Sequence, residues 1–275
     1  MKNLIQRAIT GVLFVGAIVG SVFLGKIAFA SLFFWVTVLT QWELYTLINT
    51  KGSAQINRQF ATLASAFLYL STLLWNQVSA QIGIICLAVY VLFCFGIVIY
   101  ELFRKDGNPL HNWAYFFLGQ IYVVVPFSML NILNHSFEPE FLLALFVLIW
   151  TYDSGAYLFG VTLGKHRLFE RISPKKSWEG AIGGFLAACV AALIFAHFSS
   201  SLSVFGWIGF AALVVVFGTF GDLAESLLKR TFNIKDSGNI LPGHGGMLDR
   251  FDSLLFATPV ILIYLAILIG ENCFI

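Results

Sequence analysis

Charge is scarce in this chain. Only 11% of its 275 residues are charged and 59% are hydrophobic, whereas a soluble domain carries roughly 25% charged residues. That shortage excludes a water-soluble globular protein and leaves a polytopic membrane protein. The formal net charge is +2, so nothing in the overall balance argues for nucleic acid as a partner. Cysteine is sparse as well. Cys86, Cys94, Cys189 and Cys273 form no CxxC pair, and three of them sit inside apolar runs. They read as small packing residues and support neither a zinc site nor a disulfide framework. A Gly-x-Ser-x-Gly elbow is missing, which argues against an esterase despite His244-Gly245-Gly246. Gly160-x-x-x-Gly164-Lys165-His166 is one residue short of a P-loop, and no Ser or Thr follows the lysine. No repeat, low-complexity stretch, linker or soluble domain is visible.

What is there in abundance is apolar sequence long enough to cross a bilayer, which takes about 17–25 residues. Such runs recur at roughly 8–25, 28–47, 59–76, 80–100, 112–132, 141–163, 180–198, 203–222 and 254–270. The third is the weakest, because Ser65, Ser71 and Thr72 interrupt it. Continuous apolar runs without period-2 alternation exclude a barrel and predict helices. Lys2 and Arg7 with Ala28-Phe29-Ala30 imitate a signal peptide, but the first run exceeds a ~7–15-residue h-region. It is expected to be a retained helix. The expected fold is therefore all-α, with about nine transmembrane helices.

Charge placement orients these spans. With the N-terminus in the cytoplasm, every lysine and arginine except Lys26 falls on the cytoplasmic side, as the positive-inside rule requires. The C-terminus is then outside. The two longest cytoplasmic connections, 164–179 and 223–253, hold most of the charge. Ionisable groups next to the hydrocarbon mark function.

Asp222, Glu225, Ser226 and Lys229 lie at i, i+3, i+4 and i+7 and share one face if the eighth helix continues through 230. The plain alternative is an internal salt bridge between Asp222 or Glu225 and Lys229. Asp249 and Asp252 lie at i, i+3 and suit either a helix N-terminus or a divalent metal, since Mg²⁺ takes one or two carboxylates plus phosphate oxygens. Between them, Gly238, Pro242, Gly243, Gly245 and Gly246 cannot form a helix interior. This is either a surface turn or a loop whose N–H groups approach a phosphate. Lys229, Arg230, Lys235 and Arg250 flank it, with Asp236 nearby. Cations and carboxylates together point to a metal–phosphate substrate.

In the other connection, Arg171-Ile-Ser-Pro-Lys-Lys-Ser-Trp-Glu-Gly180 offers Ser173, Lys175 and Lys176 as phosphate ligands, or a basic loop drawn to anionic lipid. Ser177 is placed to cap the seventh helix, with Glu179 in its first turn. Ala156, Gly160 and Gly164 form a helix-packing stripe. Asp153 and Tyr157 are read onto the same face, buried in the sixth span. Glu43, beside Trp42 near the end of the second span, is read as an acid that snorkels.

The two clusters resemble the phosphatidate cytidylyltransferases, or CDP-diacylglycerol synthases. The resemblance rests on Ser226, Lys229, Arg230, Lys235, Asp236, Gly238, Leu241, Pro242, His244, Gly245, Gly246, Asp249, Arg250 and Asp252. It extends to Asp153-x-Gly155-Ala156-Tyr157 and Ser173-Pro174-Lys175-Lys176, with Ser177 where a threonine is common. It implies transfer of the cytidylyl group of CTP to phosphatidate, releasing pyrophosphate, by a Mg²⁺-dependent homodimer. A second cation is left open. Asp222, Asp249 and Asp252 would hold the metal. Lys229, Arg230, Lys235 and Arg250 would hold phosphates, Lys175 and Lys176 the CTP tail or the lipid headgroup, and His244 would orient a metal ligand or a phosphate. Asp236 joins the catalytic set, while Ser173, Ser226, Gly245, Gly246, Asp153 and Tyr157 line the substrate. The expected setting is the inner membrane of a bacterium, with the site facing the cytoplasm. One membrane-embedded domain is expected over 1–275, with motif-free helices over 1–135, catalytic helices and loops over 141–253 and the last helix over 254–275. The competing readings are a CTP-dependent polyprenol kinase and, from another class, a transporter using Asp153 and Asp222. Transporter sites gather near the midplane, often between repeats, whereas the charge here collects at one face.

Overall fold

The structure is a computed structural model that describes residues 2–240, 243 and 245–270, with side chains from Ile9 onward. Helices occupy all nine expected positions. They are α1 (Lys2–Leu24), α2 (Lys26–Lys51), α3 (Arg58–Gln77), α4 (Ala80–Phe103), a continuous fifth run, α7 (Pro139–Leu163), α8 (Trp178–Phe198), α9 (Val204–Thr231) and α10 (Leu248–Ile269). The fifth run comprises α5 (Pro109–Gly119), a π-helical turn at Gln120–Val124 and α6 (Val125–Ser136). Among the described residues, 7 helices are long and apolar enough to cross a membrane, and Ile9–Leu24 adds a shorter apolar stretch. This is an all-α polytopic membrane protein.

The chain divides into two compact units. The first comprises Met1–Phe137 and Phe232–Phe251. It explains why α3 is the least apolar helix: Ser65, Tyr69 and Thr72 face inward and are paired. Gln120 Nε2 donates to Ser65 Oγ at 2.9 Å and to the Tyr45 hydroxyl at 2.8 Å. Tyr69 Oη donates to Asn131 Oδ1 or to the carbonyl of Ala30, at 2.9 and 2.8 Å. Buried polar groups need such partners, since leaving one unpaired costs about 1–3 kcal/mol. Phe33, Phe127 and Phe251 close the apolar part of this unit with ring centroids 5.5–5.8 Å apart. Tilted and edge-on arrangements like these are the preferred ones for aromatic rings.

The second unit comprises Glu138–Thr231 and Asp252–Ile275. Its helices α7 and α8 approach through glycine. A Cβ at Gly155 would lie 3.0 Å from the Gly184 Cα, and one at Gly180 would lie 2.7 Å from the Ala156 carbonyl. The predicted stripe of small residues is thus a packing face, and its partner stripe is Gly180, Gly183 and Gly184. Gly218 and Gly221 do the same for α9 against the backbone around Asp252 and Ser253. At the far end, Trp207 stacks between Phe141 and Phe195 at 5.4 and 5.3 Å.

The connection 164–177 is more ordered than its sequence announces. Strands β1 (Arg167–Phe169) and β2 (Ser173–Ser177) pair antiparallel, with a register shift between Arg167 and Phe169. Pro174 is tolerated because a two-stranded sheet has only edges.

Candidate active site

Helix α9 carries its polar stripe as the spacing predicts. Ser226 Oγ donates to Asp222 Oδ1 at 3.2 Å, and Lys229 forms an ion pair with Glu225 one turn back. Glu225 is fully buried. The salt-bridge alternative therefore holds for Glu225 and Lys229. Asp222 faces a different cation: Lys176 Nζ of β2 lies 2.6 Å from Asp222 Oδ2. Successive strand residues point to opposite sides, so Lys175 is exposed while Lys176 reaches α9. Ser173, at the start of β2, is half-buried and pairs with Phe169. Arg230 ties the same helix to the hairpin, its Nε donating to the Ile172 carbonyl at 3.3 Å.

The hairpin is anchored at its base. Ser177 Oγ accepts the Gly180 N–H at 3.1 Å, the expected helix cap. Glu179 accepts from the N–H groups of Lys165 and His166 at 3.1 and 3.2 Å and lies 2.6 Å from His166 Nδ1. These contacts fix the strand that carries Lys176.

Asp252 is half-buried in α10, within Coulombic range of Asp222, Asp153 and Lys229. Three carboxylates and a lysine thus share one electrostatic neighbourhood in the second unit. Among the described residues, no group of three or more His, Cys, Asp or Glu is placed to hold a metal ion by itself. The expectation that Asp153 and Tyr157 are buried is corrected. Asp153 is exposed, and Tyr157 is 74% exposed. The packing face of α7 runs through Tyr152, Gly155, Ala156 and Phe159. Asp153 and Tyr157 each follow a residue of that face by one position, a rotation of about 100°.

The glycine-rich connection belongs to the first unit. Asn233 takes a left-handed φ of 54° just after α9, a conformation asparagine tolerates better than most residues. Gly245 has φ 83°, and a Cβ there would lie 2.6 Å from Asp249 Oδ2. That oxygen is heavily engaged. It accepts from Gly246 N at 2.8 Å and Ser237 N at 2.9 Å, and Ser237 Oγ lies 3.0 Å away. Asp249 therefore organises the loop that precedes its helix. Lys235 and Asp236 are exposed and line a cavity of about 580 Å³ with Trp42, Glu43, Lys51, Arg58 and Ser237. The Arg58 guanidinium stacks 3.8 Å above the Trp42 ring. Arg250 is exposed. His244, like Leu241 and Pro242, lies outside the described residues.

Glu43 does not snorkel. It is 5% exposed and its carboxylate meets the loop: Oε1 accepts from Ser237 Oγ at 2.5 Å and Leu248 N at 3.2 Å, and Oε2 accepts from Met247 N at 2.9 Å. Sequence reading missed both Glu43 and Ser237. The available signal was an acid inside an apolar helix, which is a functional candidate by default.

This arrangement offers cations and carboxylates at the ends of apolar helices, a combination suited to an anionic substrate. Comparison with known proteins agrees. A sequence model described as "Cytidylyltransferase family" matches residues 5–268. The phosphatidate cytidylyltransferase of Bacillus subtilis (strain 168) is 34% identical over 271 residues, covering 97% of this chain and 99% of the relative. That of Staphylococcus aureus (strain COL) is 36% identical over 204 residues, 74% of this chain and 78% of the relative. That of Haemophilus influenzae is 41% identical over 161 residues, 55% and 56% of the two chains. The chain belongs to the cytidylyltransferase family.

Proposed function

We propose that this chain transfers the cytidylyl group of CTP to phosphatidate, giving CDP-diacylglycerol and pyrophosphate for phospholipid synthesis. The observation that carries the reading is similarity over nearly the whole chain, 97%, to a relative named for that reaction. The geometry supports it: Lys176 lies on Asp222, and Asp252, Lys229 and Arg230 are close in chain and charge, so cations that an anionic substrate could draw on gather at helix ends.

The nucleophile is the substrate's own phosphate. A phosphate monoester has a second pKa near ~6 and is largely dianionic at neutral pH. Its oxygen bonds to the α-phosphorus of CTP, the bond from that phosphorus to the bridging β-phosphate oxygen breaks, and pyrophosphate leaves. No serine or cysteine nucleophile and no general base is required. The protein's task is to bring two anions together, which is electrostatic work. Lys176 leaves Asp222 partly neutralised and presents positive charge from the hairpin. Lys229 and Arg230 hold further phosphate oxygens, and Lys235 and Arg250 serve the loop side. Lys175, on the exposed face of β2, is free of that ion pair and would meet the CTP tail or the lipid headgroup.

Asp222 and Asp252 fit a hard divalent cation. Both offer carboxylate oxygens, and the Lys176 ammonium is one cation already seated on Asp222. Two carboxylates are enough when substrate phosphates complete the shell, as is usual for Mg²⁺. Bound Mg²⁺ would supply charge stabilisation on the triphosphate oxygens. Asp249, with one oxygen accepting two loop N–H groups beside the Ser237 hydroxyl, holds the loop.

The orientation proposed is N-terminus and site in the cytoplasm, supported by the placement of lysine and arginine. A homodimer in a bacterial inner membrane is what the family resemblance implies. The decisive experiment incubates purified protein with Mg²⁺, phosphatidate and CTP labelled at the α-phosphate or at the γ-phosphate. Label from the α-position should enter lipid, and label from the γ-position should leave as pyrophosphate. Transfer of γ-label to lipid with release of CDP would point instead to a kinase.

A further inference from the structure

We propose that Glu43 is a positioning residue for turnover: a carboxylate supplied by α2 that clasps the glycine-rich loop to the N-terminus of α10. The contacts are specific. Met247 and Leu248 stand at the start of α10, where backbone N–H groups have no intrahelical acceptor. Ordinarily a side chain just before the helix satisfies them. Here both N–H groups donate to Glu43, at 2.9 and 3.2 Å. The helix dipole adds a preference for an anion at that end.

The clasp accounts for the small residues of the loop. A Cβ at Gly238 would lie 2.5 Å from Glu43 Oε2, and a Cβ at Gly246 would overlap both Glu43 and Ser237. The two positions are glycine because the carboxylate fills the space a side chain would take. Ser237 then links the clasp to the site. Its hydroxyl lies 2.5 Å from Glu43 and 3.0 Å from Asp249 Oδ2, and it carries one proton to serve both. Glu43 also forms part of the wall of the cavity that Lys235 and Asp236 line. Through Ser237, Glu43 thereby fixes where Asp249 and the loop cations stand.

The kinetic consequence rests on the cytidylyltransferase reading; the clasp does not. Glu43→Gln and Glu43→Leu have similar volume and differ in hydrogen bonding. Gln keeps an acceptor for Met247 N, and its amide can donate to Ser237. Leu leaves two buried N–H groups unpaired, a loss that corresponds to roughly 10- to 100-fold. Two measurements in detergent separate positioning from mere packing. The first is the rate at which a maleimide labels a cysteine introduced at Asn239, relative to the parent chain. The second is the split between kcat and KM for CTP. Glu43→Leu should label at least about tenfold faster and raise KM for CTP at least about tenfold, with Glu43→Gln close to wild type in both. Equal behaviour of Leu and Gln, or a fall in kcat at unchanged KM and labelling, would overturn the proposal, since a packing defect only lowers the active fraction. Labelling needs no turnover. A wild-type chain without cytidylyltransferase activity would sink the functional reading and leave the clasp to be judged by labelling alone.

Discussion

Lys176 Nζ of the β-hairpin lies 2.6 Å from Asp222 Oδ2 of α9, while its neighbour Lys175 points away from that helix and is exposed. Two adjacent lysines thus have different surroundings, and the proposed mechanism gives them separate tasks. If Lys176 acts on the reacting phosphates, Lys176→Ala should lower kcat/KM about 10²–10³-fold, the scale of one preorganised electrostatic contact. Lys175→Ala should cost less than about tenfold in CTP kinetics, because an exposed charge is screened by solvent and salt. Initial rates at varied CTP check both, and equal losses would refute the division of labour.

Metal removal follows from the Asp222 and Asp252 donor set. EDTA should abolish turnover and added Mg²⁺ should restore it. Asp222→Asn should shift the Mg²⁺ concentration for half-maximal rate upward, with Lys176 losing its ionic partner at the same time. Full activity in metal-free buffer would remove the metal from the mechanism.

Packing makes a prediction of its own. A Cβ at Gly184 would lie 2.7 Å from the Tyr152 carbonyl and 2.9 Å from the Ala156 nitrogen, and these backbone atoms can give way only if α7 and α8 separate. Gly184→Val should therefore destabilise the protein by about 1–3 kcal/mol or more, as overpacking does. Thermal unfolding in detergent measures it. An unchanged midpoint would show that the two helices are not held by this contact.

How much of this was legible beforehand follows from the range of each interaction. The helices at the nine expected positions were readable because each is a local property of some twenty apolar residues. The stripe from Asp222 to Lys229 was readable for the same reason, since helical spacing fixes it within one element. The hairpin was not, because strands of three and five residues, Arg-Leu-Phe and Ser-Pro-Lys-Lys-Ser, carry no apolar alternation. Asp153 and Tyr157 were assigned to the wrong face of a helix that is apolar almost all round, where periodicity gives little direction. Glu43 was out of reach for another reason. Its partners Ser237, Met247 and Leu248 are 194, 204 and 205 positions away, and only the fold brings them together.

Topology can be tested directly. Cysteines introduced near Ser136 and Ser200 should react with an impermeant reagent applied from outside intact cells, and one at Gly243 should not. Labelling of position 243 from outside would overturn the cytoplasmic placement of the site.

Asp249 is where metal holding and loop holding make opposite forecasts. Asp249 Oδ2 receives the N–H groups of Ser237 and Gly246 and stands 3.0 Å from the Ser237 hydroxyl. Asn keeps an oxygen at that place and is nearly as good as Asp in capping roles. Asp249→Asn should therefore retain the fold and lower kcat/KM by about tenfold, because hydrogen bonds to a neutral amide are weaker than to a carboxylate. Its Mg²⁺ requirement should stay that of the wild type. Asp249→Ala removes the acceptor altogether, strands the loop donors, and should cost about 1–3 kcal/mol in thermal stability as well as activity. The contrasting case is direct metal contact. Asp249→Asn would then lose about 10²–10³-fold in rate and need far more Mg²⁺, while remaining as stable as the wild type. Mg²⁺ titrations of Asp222→Asn and Asp249→Asn side by side decide it: a shifted midpoint in the first alone makes Asp249 a loop holder, and equal shifts in both make it a ligand.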